Sequence, residues 1–352
     1  MRESCVSVNT DARILAESLD KAREPRELAA LLRNIRAFVA GRAGGGDVLE
    51  TGRAAAALYD ALLARAAALA RSGPVAPPPG ACLLALGSQG RCEQFLATDQ
   101  DNALVLPGKA DAGGRQAYAA FAGRMRDILE AAGMPPCPRG IMAAAPEWRR
   151  TAREWRDALD GAADRPDAAG VLLVSLLADA RAVDGDAALA MAVAAHVRRR
   201  AADAPLLVRG LAREALHFAP EAHLPGPLSL SGRHAPVDLK RAAVYPLVLG
   251  VKALALEAGV PETGTVARIG ALSRLGRIGQ DSAARLERAF SCVQALRLRR
   301  QAQAAAAGGQ PDNRLDPASL SPPDREELRR AFRAVADFTA MLEHHFSLAY
   351  LT

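Results

Sequence analysis

Two aspartates two residues apart, Asp99 and Asp101, follow a Gly-Ser turn formed by Gly87 and Ser88. Residues i and i+2 of an extended strand point to the same face, so both carboxylates can face one point beside the turn. Carboxylate oxygens are the ligands that Mg²⁺ prefers, and a glycine turn lets the backbone approach a phosphate closely. The spacing therefore predicts a magnesium–nucleotide site and, with it, nucleotidyl transfer.

The elements that must hold these residues are two buried strands on either side of the turn. The apolar run 81–86 predicts a strand that ends at the turn, and the run 103–106 continues a second strand that carries both aspartates. A short helix is predicted between the strands, from Arg91 to Leu96. The guanidinium of Arg91 is a candidate phosphate contact. Glu93 either acts directly in the site or holds Arg91 in place.

The segment resembles the signature of the nucleotidyltransferase superfamily, in which a Gly-Ser turn precedes an Asp-x-Asp pair. More closely, residues 87–94 and 98–103 are similar to the DUF294 family of nucleotidyltransferases, relatives of the N-terminal domain of the PII uridylyltransferase. The likeness spans about residues 15 to 348. The other segments that carry it, in the order of the family, are 135–143, 146–149, 179–181, 185–186 and, for the C-terminal substrate-binding-type domain, 237–241, 296–301 and 312–317.

This resemblance implies the transfer of NMP from an NTP to a hydroxyl of a protein or small molecule, with release of pyrophosphate. It assigns catalysis and the metal, Mg²⁺ or Mn²⁺, to Asp99 and Asp101. It assigns the triphosphate to Gly87, Ser88 and Arg91. Because the charge changes little in such a step, catalysis rests mainly on positioning and electrostatics.

Three further residues complete the predicted site. Glu93 and Asn102 are assigned supporting roles beside the turn and the aspartates. Lys240, in the C-terminal matching segment, is assigned to nucleotide binding by the resemblance. The alternative for Lys240 is an ion pair with Asp238 or Asp312, and the sequence does not choose between the two.

A third carboxylate, which superfamily members commonly use, is not placed by the sequence. Glu147 lies in a matching segment, but its surroundings are typical of a helix start, where an acid suits the positive end of the dipole. Asp179 lies in an apolar run close to Arg181, which favours a salt-bridged structural acid. An alternative function therefore remains open, a nucleotide-binding signalling module with weak or no catalysis.

Composition and charge narrow the class of partner. The 352 residues are 50% hydrophobic and only 4% aromatic, with a net charge of +6. The charge suits phosphate ligands or an acidic protein, whereas few aromatic residues are available to stack on bases, so nucleic acid is not favoured. A polar N-terminus and the lack of a long apolar run predict a cytoplasmic protein without a membrane span. Five scattered cysteines predict free thiols.

The predicted fold is α+β and helix-rich, with a small mixed β-sheet as the nucleotidyltransferase core. In the C-terminal part we expect a helix from Val237 to Ala258, kinked at Pro246, and a long final helix that opens at Ser321. The chain is too short for the regulatory domains that relatives carry, so any regulation is expected to come from a partner or from the N-terminal helices. The predicted domains are an N-terminal helical region with a Pro-rich linker at 1–79, the catalytic domain at 80–190 and a C-terminal helical substrate-binding-type domain at 191–352.

Overall fold

The computed structural model describes residues 10–108, 111–218 and 236–348. Helices dominate around a small mixed sheet, which confirms the predicted helix-rich α+β class. The helices are α1 Thr10–Lys21, α2 Pro25–Gly41, α3 Val48–Arg71, α4 Gly87–Gly90, α5 Ala112–Ala131, α6 Ala152–Asp164, α7 Ala168–Leu177, α8 Ala187–Ala202, α9 Pro205–His217, α10 Tyr245–Glu257, α11 Thr265–Arg274, α12 Gln280–Ala306 and α13 Pro322–His345. The strands are β1 Cys82–Ala85, β2 Asn102–Leu106, β3 Arg149–Thr151, β4 Arg181–Gly185, β5 Val237–Asp238 and β6 Arg314–Leu315.

The main sheet has the strand order β3-β2-β1-β4. β1 runs antiparallel to both β2 and β4, while β2 is parallel to β3, so the sheet is mixed. Every residue of β1 and β2 is buried, as expected of central strands that are covered on both faces. The indole N–H of Trp155 in α6 donates to the carbonyl of Leu104 at 3.1 Å and fixes that helix to β2.

The chain divides into two compact units, and the first comprises Met1–Leu159 and Asp179–His196. It holds the four-stranded sheet together with the helices α1 to α5. α3 is rich in alanine and leucine, and its buried side chains run along its whole length. Asp47 caps its first turn by accepting from the Leu49 N–H at 2.8 Å. The helices predicted before the sheet are therefore present.

The predicted short helix from Arg91 to Leu96 is wrong. The helical turn lies earlier, at α4, and the chain after Arg91 is irregular. Cys92 explains the difference, since its φ of 59° lies in the left-handed region. A non-glycine residue in this region interrupts a right-handed helix, so the turn cannot continue through Cys92.

The second unit, Asp160–Ala178 and Val197–Thr352, contains α7 and α9 to α13 in its described part. The predicted helix from Val237 to Ala258 is partly wrong, because Val237 and Asp238 form β5 and pair with β6. A π-helical turn follows at Lys240–Val244, and α10 then begins at Tyr245. The helical backbone is continuous from Leu239 to Glu257, so Pro246 lies inside it, directly after the π-helical turn. A proline removes one backbone hydrogen bond of a helix, and a π-helical turn is one way in which the backbone adjusts to that loss.

The final helix begins where the sequence predicts. The Ser321 side chain accepts from the backbone N–H of Asp324 and caps α13. The apolar residues spaced along α13 and at its C-cap are all buried and form a core stripe: Leu328, Phe332, Val335, Phe338, Leu342 and Phe346.

Two further features of the described residues concern membrane spans and the state of the cysteines. In the described ranges, every helix is either too short or too polar to cross a lipid bilayer. Cys82, Cys92, Cys137 and Cys292 are free thiols, as predicted, and Cys5 lies outside the described residues.

Candidate nucleotide and metal site

The two aspartates lie immediately before β2 and not within it, because that strand begins at Asn102. Between them, Gln100 forms an isolated parallel bridge with Pro136, which keeps the segment extended. One ligand atom from each of Asp99, Asp101 and Cys137 lies within 4.8 Å of the other two. The predicted convergence of the two carboxylates is therefore present, with a thiol beside them.

Cys137 is the member of this group that the sequence reasoning missed. The backbone N–H of Gln100 donates to the Pro135 carbonyl at 3.2 Å, and its side-chain amide donates to the Met134 carbonyl at 2.9 Å. These bonds place the Cys137 loop beside the aspartates. Its position in a segment that resembles the family was the available signal. Burial, the Asp101 charge and a hydrogen bond from the thiol to Asp101 raise the pKa of Cys137 to about 11.

The Gly-Ser turn lies against the acidic pair. The Leu86 N–H donates to the Asp101 carbonyl at 3.1 Å, so the end of β1 and the start of β2 meet at this point. A Cβ on Gly87 would lie 3.0 Å from Asp101 Oδ2. Its positive φ and this close approach together require glycine at position 87. The turn and the carboxylate are therefore in direct contact.

Ser88 is the residue of α4 that reaches solvent. Gly87, Gln89 and Gly90 are buried, whereas Ser88 is partly exposed. In the part of the chain that the structure describes, no side chain bonds the Ser88 hydroxyl. This hydroxyl is available to a ligand that reaches the Asp99–Asp101 pair.

Arg91 points into the protein and forms ion pairs with two buried carboxylates. Its guanidinium lies 2.7 Å from Glu93 Oε2 and 2.5 Å from Asp179 Oδ2, and all three side chains are at most 9% exposed. Burial disfavours the guanidinium charge, but Asp179 and Glu93 outweigh that penalty and raise the pKa of Arg91. The arginine fork spans both carboxylates, and this geometry favours a positioning role for Arg91 and Glu93.

Asp179 is the buried, ion-paired acid that the sequence favoured. The backbone of Asp179 also packs against the turn. A Cβ on Gly90 would lie 2.1 Å from the Asp179 carbonyl oxygen, so no larger residue fits at position 90. Arg181, on β4, pairs with Asp60 of α3 at 2.5 Å, and Asp60 also accepts from the Gln89 side chain at 2.9 Å. Partly buried polar contacts therefore fix α4 to both β4 and α3.

The remaining predicted residues have separate surroundings. Asn102 Oδ1 accepts from the backbone N–H of Ala143 at 2.9 Å and so holds the segment after the Cys137 loop. Glu147 is exposed in a 3₁₀ turn, Pro146–Trp148. In the described part of the chain, no third carboxylate joins the ligand group of Asp99 and Asp101.

Lys240 lies in the second unit. Its ammonium is 5.4 Å from the centroid of the Tyr245 ring, in cation–π geometry. Its backbone N–H donates to Asp238 Oδ1, whereas Asp312 pairs with Arg300. Over the described ranges, the Lys240 ammonium forms no ion pair with Asp238 or Asp312. The assignment of Lys240 to nucleotide binding stays a prediction.

The sequence matches two family models, which together cover most of the chain. Residues 33–169 match the family model described as "Putative nucleotidyltransferase DUF294". Residues 205–346 match the model described as "Putative nucleotidyltransferase substrate binding domain". The chain belongs to the DUF294 family. The first DUF294 match contains the Gly-Ser turn and the Asp99–Asp101 pair, and the second contains α12 and α13. No curated protein matches the chain.

Proposed function

We propose that this DUF294 protein is a metal-dependent nucleotidyltransferase that moves NMP from an NTP to a hydroxyl of a protein or small molecule. The observation that carries the proposal is the direct contact between the Gly-Ser turn and the carboxylate pair, with Gly87 against Asp101. A phosphate-binding turn beside hard oxygen ligands is the arrangement that a metal-bound triphosphate needs.

The donor set fits Mg²⁺ or Mn²⁺, because Asp99 and Asp101 each offer carboxylate oxygens to one point. Such an ion, when bound, neutralises phosphate charge and makes an attacking hydroxyl more acidic. The Cys137 thiol donates a hydrogen bond to Asp101, which leaves the other lone pairs of that carboxylate available. Cys137 therefore orients Asp101.

The proposed reaction is an in-line displacement at the α-phosphorus of the NTP. The acceptor oxygen forms a bond to this phosphorus while the bond to the β-phosphate oxygen breaks. Pyrophosphate leaves, and the hydroxyl proton passes to solvent or a basic group of the acceptor complex. The chain's own contribution is to hold the triphosphate at Gly87 and Ser88 and to orient Asp99 and Asp101, which is the main source of rate in phosphoryl-type transfer.

Arg139, not Arg91, is the arginine that we assign to the triphosphate. Its backbone N–H donates a hydrogen bond to the Cys137 sulfur, and the Cys137 thiol donates one to Asp101. The backbone of Arg139 therefore lies at the edge of the site. Its side chain is exposed and, in the residues described, has no carboxylate partner. A guanidinium with no carboxylate to neutralise it suits phosphate oxygens.

Replacing Arg139 by glutamine is expected to weaken NTP binding about 10-fold, because one charge-assisted bond to phosphate is lost. Calorimetric titration of NTP in the presence of Mg²⁺ measures the effect. Arg33→Gln, on an exposed and unpaired arginine of α2, is the matched control and should bind like the wild type. Equal affinities of the Arg139 and Arg33 variants would remove Arg139 from the site.

The experiment that tests the proposed function titrates the four common NTPs into the full chain with and without Mg²⁺. We expect one NTP to bind in a Mg²⁺-dependent manner and to release pyrophosphate when acceptors are supplied. Failure of all four to bind the folded protein would contradict the proposal.

A second candidate function is a nucleotide-binding signalling module with weak or no catalysis. It is favoured by the absence, in the described residues, of a third carboxylate beside Asp99 and Asp101. The same titration separates the two candidates. Mg²⁺-dependent NTP binding without pyrophosphate release, over a broad set of protein and small-molecule acceptors, would favour the signalling module.

A further inference from the structure

A cluster of arginines lies in the second unit, in a groove between α12 and α13. The groove has a volume of about 320 Å³ and is lined by charged residues of both helices. We refer to it as the arginine groove. Its charged residues are Arg285 and Arg288 of α12, and Glu327, Arg330, Arg333 and Asp337 of α13.

The spacing along the sequence explains why these side chains meet. Residues three or four apart on a helix share a face, and Arg285, Arg288 and Cys292 follow that spacing on α12. On α13, Glu327, Arg330 and the lining residues that follow them have the same spacing of three or four positions. Three buried alanines form part of the lining, and their small side chains leave the space open between the helices: Ala289, Ala331 and Ala334.

Two of the four arginines form no ion pair in the described residues. Arg288 and Arg333 are exposed, and in the described part of the chain neither has a hydrogen-bond or ion-pair partner. Arg285 bonds only a neutral hydroxyl, that of Ser282 at 2.9 Å. Arg330 is the paired member, with Glu326 at 3.3 Å and Glu327 at 3.2 Å.

The charge balance of the arginine groove is positive. Four arginines face two carboxylates, and one of these carboxylates, Glu327, is already paired with Arg330. Asp337 is exposed and, over the described ranges, has no partner. Unpaired guanidinium groups that converge on one small space favour a compact anion with several negative oxygens.

The lining also limits the kind of anion. It contains no aromatic side chain, so it offers no surface on which a nucleobase could stack. Its volume is at the low end of small-molecule sites. A compact polyphosphate or phosphorylated small molecule fits this lining better than a whole nucleotide does.

We propose that the arginine groove is a binding site for a small, polyvalent phosphate-bearing anion, with Arg288 and Arg333 as its main contacts. This site is separate in residues from the Asp99–Asp101 site and does not depend on the proposed transferase activity. Asp337 opposes the anion and lowers its affinity. The site gives the C-terminal matching domain a ligand of its own.

The test is calorimetric titration of inorganic pyrophosphate into the full chain at constant ionic strength. The buffer contains EDTA and no divalent metal, so that the metal-dependent site takes no part. Arg288→Gln/Arg333→Gln should bind pyrophosphate at least about 10-fold more weakly than the wild type, because two charge-assisted contacts are lost. Asp337→Asn should bind it more tightly.

The matched control is Arg277→Gln/Arg314→Gln, which removes two exposed arginines of the same unit that lie outside the groove. It should bind like the wild type. All five side chains altered in the test are exposed on the surface, so each variant should fold, and circular dichroism checks this.

Three results would overturn the proposal. The first is no binding of pyrophosphate by the wild type. The second is equal weakening by the groove and control variants, which would mean that only the net charge of the protein matters. The third is binding of citrate as tight as that of pyrophosphate, which would remove the preference for phosphate.

Discussion

Replacing both Asp99 and Asp101 by asparagine is expected to abolish the Mg²⁺-dependent part of NTP binding, with a loss of at least about 100-fold in affinity. Asparagine keeps the size of each side chain but removes the negative charge that attracts the metal. Because the two carboxylates converge on one point, each single replacement should already remove most of the Mg²⁺ effect. Calorimetry with and without Mg²⁺ measures the difference directly.

The matched control is Asp127→Asn/Asp157→Asn, which removes two exposed acids of the same unit. This variant should retain wild-type affinity and the full Mg²⁺ dependence. If Asp99→Asn/Asp101→Asn still binds NTP in a Mg²⁺-dependent manner, the acidic pair is not the metal site. Thermal unfolding in the absence of ligand verifies that both double variants remain folded.

Replacing Arg91 by methionine is expected to destabilise the protein by about 3–5 kcal/mol, because Asp179 and Glu93 would remain buried without this cation. The measured quantity is the free energy of unfolding from urea denaturation. The triple variant Arg91→Met/Glu93→Gln/Asp179→Asn should lose less stability than the single one, since it leaves no uncompensated buried charge.

Arg126→Met provides the control, because Arg126 forms an exposed ion pair with Asp127 and should cost less than about 1 kcal/mol. NTP affinity decides between the two roles of Arg91. A stable Arg91→Met protein that has lost NTP binding would show that Arg91 contacts phosphate. A destabilised protein that still binds NTP below its unfolding transition would establish the positioning role.

Local sequence was sufficient to predict the acidic pair and the turn before it, whereas the fold class was predicted with the help of the family resemblance. Asp99 and Asp101 are two residues apart on an extended segment, and the alternation of side chains brings them together without any distant partner. Gly87 was predicted for the same reason, since a tight turn after a buried strand needs a residue with positive φ. Short-range geometry determines all three.

Features that depend on distant pairing were missed or assigned wrongly. Cys137 reaches the aspartates only because Gln100 pairs with the Pro135–Pro136 segment. Val237 and Asp238 form a strand because β6 lies beside them, although the local pattern is helical. The prediction of a helix at Arg91–Leu96 was wrong because Cys92 adopts a left-handed conformation. Residues other than glycine rarely adopt it, so nothing in the sequence indicated it.

The close approach of α3 to the Gly-Ser turn determines how this protein can be cut for study. Tyr59 of α3 donates to the Phe95 carbonyl at 2.8 Å, and Asp60 bonds both Gln89 and Arg181. A fragment excised at the proline-rich linker would keep every residue of the nucleotide site but lose the helix that braces it. A lack of activity in such a fragment would therefore reflect the loss of α3 and not the chemistry of the site. Only fragments that begin upstream of α3 are informative about catalysis.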